Sequence, residues 1–399
     1  MLYIAGAGLT SIDQATGNSV KSYKQCEMQK GVFALSPFGL LAGQANKPLI
    51  HQYTMKETPL KKLILSEKVS AIAVSLDWLA VGSQSGRLHI YSLLSGSLVA
   101  SQDAHFQALT HLAFADGGAA LVSAGADARV LIWRVADLVA TQRDGAIEAA
   151  YILTAHSLPI TGLVLSKTDI LRDIRLFTSS LDATVCVFSL FTGQLLHTFV
   201  VDKPLTALAV DPAERAIYVG SEDGVRTLPL YRHSQVTRRL EAVGGAGAIV
   251  SFEGATLFEC SQVTSLALSQ DATNLYVGDN DGVVSSWDVG TEQLVKKYKP
   301  VKGPITALVV ASPSSQYAEL PSLQRVVETE IGDCVLPAEP FVPSFSFDLD
   351  CAMDIFSHQA QTVVTEEPSE ELEQLRAKSK QYDQLKNMYD ELWARHIRK

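Results

Sequence analysis

From residue 1 to residue 311, apolar residues recur in short runs whose alternation suits strands with at least one buried face. One unit repeats: an apolar strand, small residues, a turn holding Asp or Gly, then a strand ending in an aromatic. It reads clearly in Leu79–Tyr91, Leu121–Trp133, Phe177–Phe188 and Tyr276–Trp287, and more weakly in Leu41–Tyr53 and Tyr218–Pro229. A second motif precedes each unit, as in Val69-Ser-Ala-Ile-Ala-Val, Leu109-Thr-His-Leu-Ala-Phe, Ile160-Thr-Gly-Leu-Val-Leu and Ile305-Thr-Ala-Leu-Val-Val. A third follows the aromatic, as in Ser95-Gly-Ser-Leu-Val and Thr192-Gly-Gln-Leu-Leu, and marks a tight turn into a further strand.

Four short strands per repeat make one blade of a β-propeller. The anchors Tyr53, Tyr91, Trp133, Phe188, Pro229 and Trp287 are spaced by 38, 42, 55, 41 and 58 residues. The shorter intervals lie near the roughly 40–45 residues of a WD-repeat blade, and the two long ones imply inserted loops. Six blades are visible. Residues 1–24 supply three more strands and residues 304–311 one inner strand, so the two ends together predict a seventh blade that closes the ring and leaves few sheet edges exposed. The expected fold is all-β: a seven-bladed propeller over 1–311, closed by N- and C-terminal strands and followed by a C-terminal α-helix.

The C-terminal region differs in kind. Residues 312–368 hold six of the fifteen prolines and show no propeller pattern, which predicts a linker packed partly on the propeller. Its apolar stretch Phe341-Val-Pro-Ser-Phe345-Ser-Phe347 is a candidate edge strand or partner-docking segment. From Ser369 the period turns helical, with Leu375, Tyr382, Leu385, Tyr389 and Leu392 close to an a/d heptad seam. Lys378 and His396 interrupt that seam. The segment 369–399 is expected to be a coiled-coil-like helix that pairs two copies of the chain; docking on a partner or folding back on the propeller are the alternatives, because a short helix is marginal alone in water.

His105, Ser123, Asp127 and Trp133 place an imidazole, a hydroxyl and a carboxylate in one repeat, the side chains of a hydrolase. His156, Thr178 and Asp182 recur one blade later, with Phe188 where the indole stood. Repetition argues for a structural hydrogen-bond network, since buried polar groups need such partners and an active site is normally unique. The Gly-rich runs at 6–8 and 244–247 lack the strand–loop–helix context of a phosphate site, the latter reading as a flexible loop. No zincin, nucleophile-elbow, Walker or EF-hand pattern occurs. The chain is expected to be no enzyme, with no cofactor and no metal.

Composition narrows the partners. A formal net charge of −10 disfavours a nucleic-acid binder held by its own basic surface, so RNA contact would be peripheral at most. The five cysteines are scattered without metal-ligand spacing and read as reduced thiols. No run approaches the roughly 18 apolar residues of a membrane span, and the first residues lack a basic leader, so a cytosolic or nuclear protein is expected.

The strand order and the Asp–His–Ser–Trp set of residues 1–311 resemble the WD-repeat family. The segments Gly86–Leu98, Ser123–Trp133, Ser180–Phe188, Ile217–Gly224 and Lys302–Thr306, with a terminal helix, resemble more narrowly its pre-rRNA-processing members. That resemblance implies a nuclear scaffold subunit of a complex that matures large-ribosomal-subunit precursors. Helical-repeat scaffold subunits, an AAA-type remodelling ATPase and the pre-ribosomal particle would then be its partners. A substrate receptor of a ubiquitin ligase or signalling complex is the alternative from another class.

Overall fold

The computed structural model describes residues 1–311, apart from 7, 15, 24–25, 27, 37–38, 55–56, 141–147, 169–172, 234–239, 244–246, 253–256, 261 and 299–300. The chain divides into two compact units, Met1–Thr329 and Glu330–Lys399. The helix-seam residues Leu375, Tyr382, Leu385, Tyr389 and Leu392 and the docking candidates Phe341, Phe345 and Phe347 lie outside the described residues.

Among the described residues the first unit is a seven-bladed, all-β propeller. Blade one runs through strands Phe33–Ser36, Gly39–Gly43, Leu49–Tyr53 and Lys61–Ile64; blade two through Val69–Val74, Trp78–Ser83, Arg87–Ser92 and Leu98–Asp103. Blade three comprises Leu109–Ala115, Ala120–Gly125, Val130–Arg134 and Tyr151–Leu153; blade four Ile160–Leu165, Arg175–Ser180, Thr184–Ser189 and Leu195–Val200. Blade five comprises Ala207–Val210, Ala216–Ser221, Gly224–Pro229 and the two-residue Phe258–Glu259; blade six Val263–Leu268, Asn274–Asp279, Val284–Asp288 and Leu294–Lys297. The remaining sheet takes Leu2–Ala5, Leu9–Ile12 and Ser19–Tyr23 from the start of the chain and Ala307–Val310 as its inner strand. Leu2 pairs with Val310 and Ala5 with Ala307 in antiparallel register.

Apolar clusters lie between neighbouring sheets. Leu88, Ile90, Leu121 and Trp133 join blades two and three; Val122, Ile132, Leu176 and Phe188 join three and four; Leu2, Ile4, Tyr276 and Val284 join blade six to the terminal sheet. A blade held between two neighbours is buried on both faces. Its second strand is therefore apolar or small throughout rather than alternating, and Ala120–Gly125 and Ala216–Ser221 are buried at every residue. The small residues of the repeat give way to the next blade: a Cβ on Gly82 would come within 2.8 Å of the Leu109 side chain, and one on Gly220 within 2.6 Å of Val263.

The hydroxyl of the second motif has a local task. Thr110, Thr161 and Thr264 each sit where the register of the inner strand slips, a β-bulge. Their hydroxyls donate to the carbonyls of Ala124, Ser179 and Gly278 on the adjacent strand, at 3.1–3.3 Å. Each hydroxyl thus supplies a donor where the backbone ladder is interrupted.

Three features depart from the sequence reading. The anchor of blade five is Leu228, not Pro229: Leu228 is fully buried opposite Ile217, as Trp133 is opposite Leu121. The long interval after Trp133 carries a short helix, Val135–Ala140, with Val135 and Leu138 buried. The insertion within blade five, between its third and fourth strands, forms a hairpin of Tyr231–His233 and Leu240–Ala242, then a strand, Ala248–Ser251, that pairs in parallel with the outer strand of blade four. Gly247, read as part of a flexible loop, leads into that strand at φ +75° and donates its N–H to the Leu196 carbonyl at 2.6 Å.

Candidate functional site

His105 lies on the crossing from blade two to blade three, Ser123 on a second strand, Asp127 in the turn after it and Trp133 on a third strand. The fold brings all four into one hydrogen-bonded chain. Trp133 Nε1–H donates to Ser123 Oγ at 3.0 Å, and Ser123 Oγ lies 2.9 Å from His105 Nε2. His105 Nδ1 lies 3.0 Å from Asp127 Oδ1. One tautomer satisfies every member: Nδ1–H donates to the carboxylate and Nε2 accepts the serine proton. Burial holds the His105 imidazolium below the usual range, against the pull of Asp127. Asp127 also accepts from the backbone N–H groups of Phe106 and Arg129, both at 3.3 Å.

Blade four repeats the arrangement without the indole. His156 Nε2 lies 2.8 Å from Thr178 Oγ1, and His156 Nδ1 lies 3.3 Å from Asp182 Oδ2. With Phe188 offering no donor, the Thr178 hydroxyl lies 3.3 Å from the carbonyl of Cys186 instead. Burial would raise Asp182, but hydrogen bonds from Thr184 and the Ser157 backbone, with the His156 charge, outweigh it and hold the carboxyl low. Burial lowers His156 as it does His105.

The same crossing is fastened elsewhere by other chemistry, which the sequence reading missed. Asp202 accepts from both terminal guanidinium nitrogens of the nearly buried Arg226 on blade five, Nη2 at 3.1 Å. On blade two, Glu67 accepts from Ser85, and Arg87 bridges Glu67 at 3.3 Å and Asp103 at 2.8 Å. Blade six has an indole bond from Trp287 Nε1–H to Ser285 Oγ at 2.9 Å, with the hydroxyl moved onto the third strand. The sequence signal for these pairs is position alone: an acid two to five residues before an inner strand, with a polar residue in the following turn (Ser85) or on the third strand (Arg226).

The two histidine sets and the Glu67–Ser85 pair tie the crossing between blades to a turn of the next blade, and Asp202 ties its crossing to the third strand of blade five. The His105 and Asp127 side chains are 0% and 8% exposed, which leaves no face for a substrate. Burial pushes the Cys26 and Cys186 thiols up to about 11, far from thiolate reactivity. No metal-ligating cluster occurs among the described residues. A pocket of about 290 Å³ between the turns of blades two and three is lined by Val74, Ser75, Leu76, Phe114, Gly117 and Gly118, none of them titratable. Exposed apolar residues do occur, on the loops that the networks hold: Phe106, 82% exposed with the Arg129 guanidinium 5.1 Å from its ring centre, and Leu158 beside Ser157.

The repeats match the family described as WD domain, G-beta repeat, at residues 96–134 and 250–288. The first of these runs from the outer strand of blade two to Trp133, the second to Trp287. A pre-rRNA-processing protein IPI3 of Meyerozyma guilliermondii is 34% identical over 398 residues, covering 88% of this chain and 87% of that protein. The chain belongs to the IPI3 family of WD-repeat proteins. The pre-rRNA-processing protein crb3/ipi3 of Schizosaccharomyces pombe is 26% identical across 96% of this chain and 95% of its own length. WD repeat-containing protein 18 of Danio rerio is 26% identical over 76% of this chain and 70% of its own. Among solved structures, the computationally designed protein Ika8 matches with a TM-score of 0.54 at 21% identity, covering 77% of this chain and 86% of that one, a likeness of fold alone.

Proposed function

We propose that this member of the IPI3 family acts in pre-rRNA processing as a non-catalytic scaffold subunit of a nuclear assembly that matures large-ribosomal-subunit precursors. The observation that carries the proposal is the near full-length similarity to relatives named as pre-rRNA-processing proteins. The polar networks support the non-catalytic part, because their donors and acceptors are internally satisfied and recur from blade to blade. The pairing of Leu2–Ala5 with Ala307–Val310 supports a ring held closed through both ends of the propeller. Helical-repeat scaffold subunits, an AAA-type ATPase and the precursor particle are the expected partners.

Depleting the protein tests this reading. Precursors that retain an internal transcribed spacer should accumulate, and the Asp127→Ala protein, if folded, should restore processing. Normal precursor levels after depletion would refute the role, and a processing defect in a fully stable Asp127→Ala protein would revive a catalytic one. Self-association belongs to the C-terminal seam. Leu385→Asp with Leu392→Asp would place unpaired charge in the seam, so the double variant should scatter light as a folded monomer while the unchanged protein runs as a dimer. A monomeric unchanged protein would reassign the helix to partner docking or fold-back.

A further inference from the structure

A separate pair of ionisable groups lies at the axis. The inner strands pack side by side around it, blade two against three, three against four, and four against five. The chain enters blade one across this axis. At Gly31, φ +83°, a Cβ would come within 2.6 Å of the Thr110 carbonyl on blade three and 3.4 Å of the Ser70 carbonyl on blade two. Lys30 reaches further, and its ammonium donates to the carbonyl of Thr206, which precedes the inner strand of blade five. A side chain rooted before blade one and bonded at blade five spans the axis.

His111, on the inner strand of blade three, faces the same place. Its Nδ1 is shut off from solvent and has no hydrogen-bond partner among the described residues. Desolvation by the surrounding strands lowers the exposed Lys30 ammonium to about 8, and burial, then the Lys30 charge, pushes His111 down to about 3. The Lys30 charge acts on His111, and no carboxylate among the described residues acts on either. Elsewhere Arg87, Arg175, Lys203, Arg215 and Arg226 all meet acids. Among the described residues, the two basic groups at the axis have no counter-ion.

We propose that this mouth of the axis receives a carboxylate side chain from an acidic peptide segment of a partner protein, held between the Lys30 ammonium and the His111 imidazole. An ammonium has three donors and Thr206 takes one, so a carboxylate oxygen fills a second. The other oxygen gives His111 Nδ1–H its missing acceptor once the imidazole of this half-buried residue turns toward the mouth. A carboxylate beside both groups favours their charged forms, so binding draws protons from solution. An RNA backbone fits less well, because two cations offer little counter-ion release and the chain carries a net charge of −10.

Calorimetry of the full chain with capped hexaglutamate, in buffers of different ionisation enthalpy near pH 8, tests this. The expected result is saturable binding with proton uptake as Lys30 becomes fully charged. Affinity should fall by about tenfold or more in Lys30→Gln and in His111→Gln, a loss of about 1.4 kcal/mol or more. Lys30→Arg should bind without the proton uptake, because its guanidinium is charged throughout, and circular dichroism should show each variant folded. Unchanged affinity in folded Lys30→Gln, or binding without proton uptake in the unchanged protein, would overturn the proposal. Tighter binding of inorganic phosphate or a short oligouridine than of hexaglutamate would also overturn it and reassign the site to phosphate.

Discussion

Asp127 accepts the His105 imidazole and the backbone N–H groups of Phe106 and Arg129, so one carboxylate fixes both sides of the junction between blades two and three. Asp127→Ala strands those donors in a buried place and should destabilise the protein by about 1–3 kcal/mol in urea unfolding. Gly125→Ala should cost a similar amount, since its Cβ would sit 2.4 Å from Asp127 Oδ1 and 2.6 Å from His105 Nδ1. Acid should weaken the fold in two stages. His89, His105, His111 and His156 all have their folded-state pKa lowered from 6.5 by burial. Below 6.5 the unfolded chain therefore binds protons that the folded chain refuses, and stability, complete above that value, falls as pH drops through it. Asp182 is held below its usual 3.8, so its contribution is present above 3.8 and disappears under it. Urea midpoints measured from about pH 7.5 to about pH 5.5 should decline, and replacing His105 and His156 by Gln should flatten the slope. A flat profile in the unchanged protein would exclude neutral buried histidines as the cause.

At the scale of the element, blades are legible in sequence to the degree that they keep large anchors. Trp133 and Phe188 announced theirs because each is an aromatic at the end of a strand that completes a copy of the repeat, 42 residues after Tyr91 and 55 after Trp133. Leu228 did not, being one apolar residue among many, and the neighbouring Pro229 drew the eye to the wrong position. The histidine networks were legible because Asp and His recur at matching positions. The Asp202–Arg226 and Glu67–Ser85 fastenings were hidden, because exposed acids and arginines are common and only the folded crossing brings them together. Strand Ala248–Ser251 was equally hidden, since its partner strand lies about fifty residues upstream and its flanking glycines read as loop. The two fastenings predict unequal effects. Arg226, 6% exposed and bound through two nitrogens, should lose about 1–3 kcal/mol on change to Met. Arg87, 44% exposed, should lose less than about 1 kcal/mol on the same change. Equal losses in thermal unfolding would mean that burial does not set their worth.

At the scale of the molecule, the first strand lies between Leu9–Ile12 and Ala307–Val310, and the amino terminus itself donates to the carbonyl of Ala311 at 2.8 Å. Removing residues 1–18 takes away two strands, leaves Ala307–Val310 without its neighbour and exposes Tyr276 and Val284 on blade six. The truncated protein should unfold at a lower temperature than the intact one; an unchanged cooperative midpoint would mean that this sheet does not hold the ring. The pairing of Leu2 with Val310 also sets a timetable. During synthesis at about 5–20 residues per second, the first strand waits roughly 15–60 s for its partner to be made. Until then its apolar residues Leu2, Tyr3 and Ile4 present an unpaired edge. A chaperone that covers short apolar segments should therefore raise the yield of folded protein during synthesis, and slow translation should lengthen the period in which two nascent chains can exchange first strands.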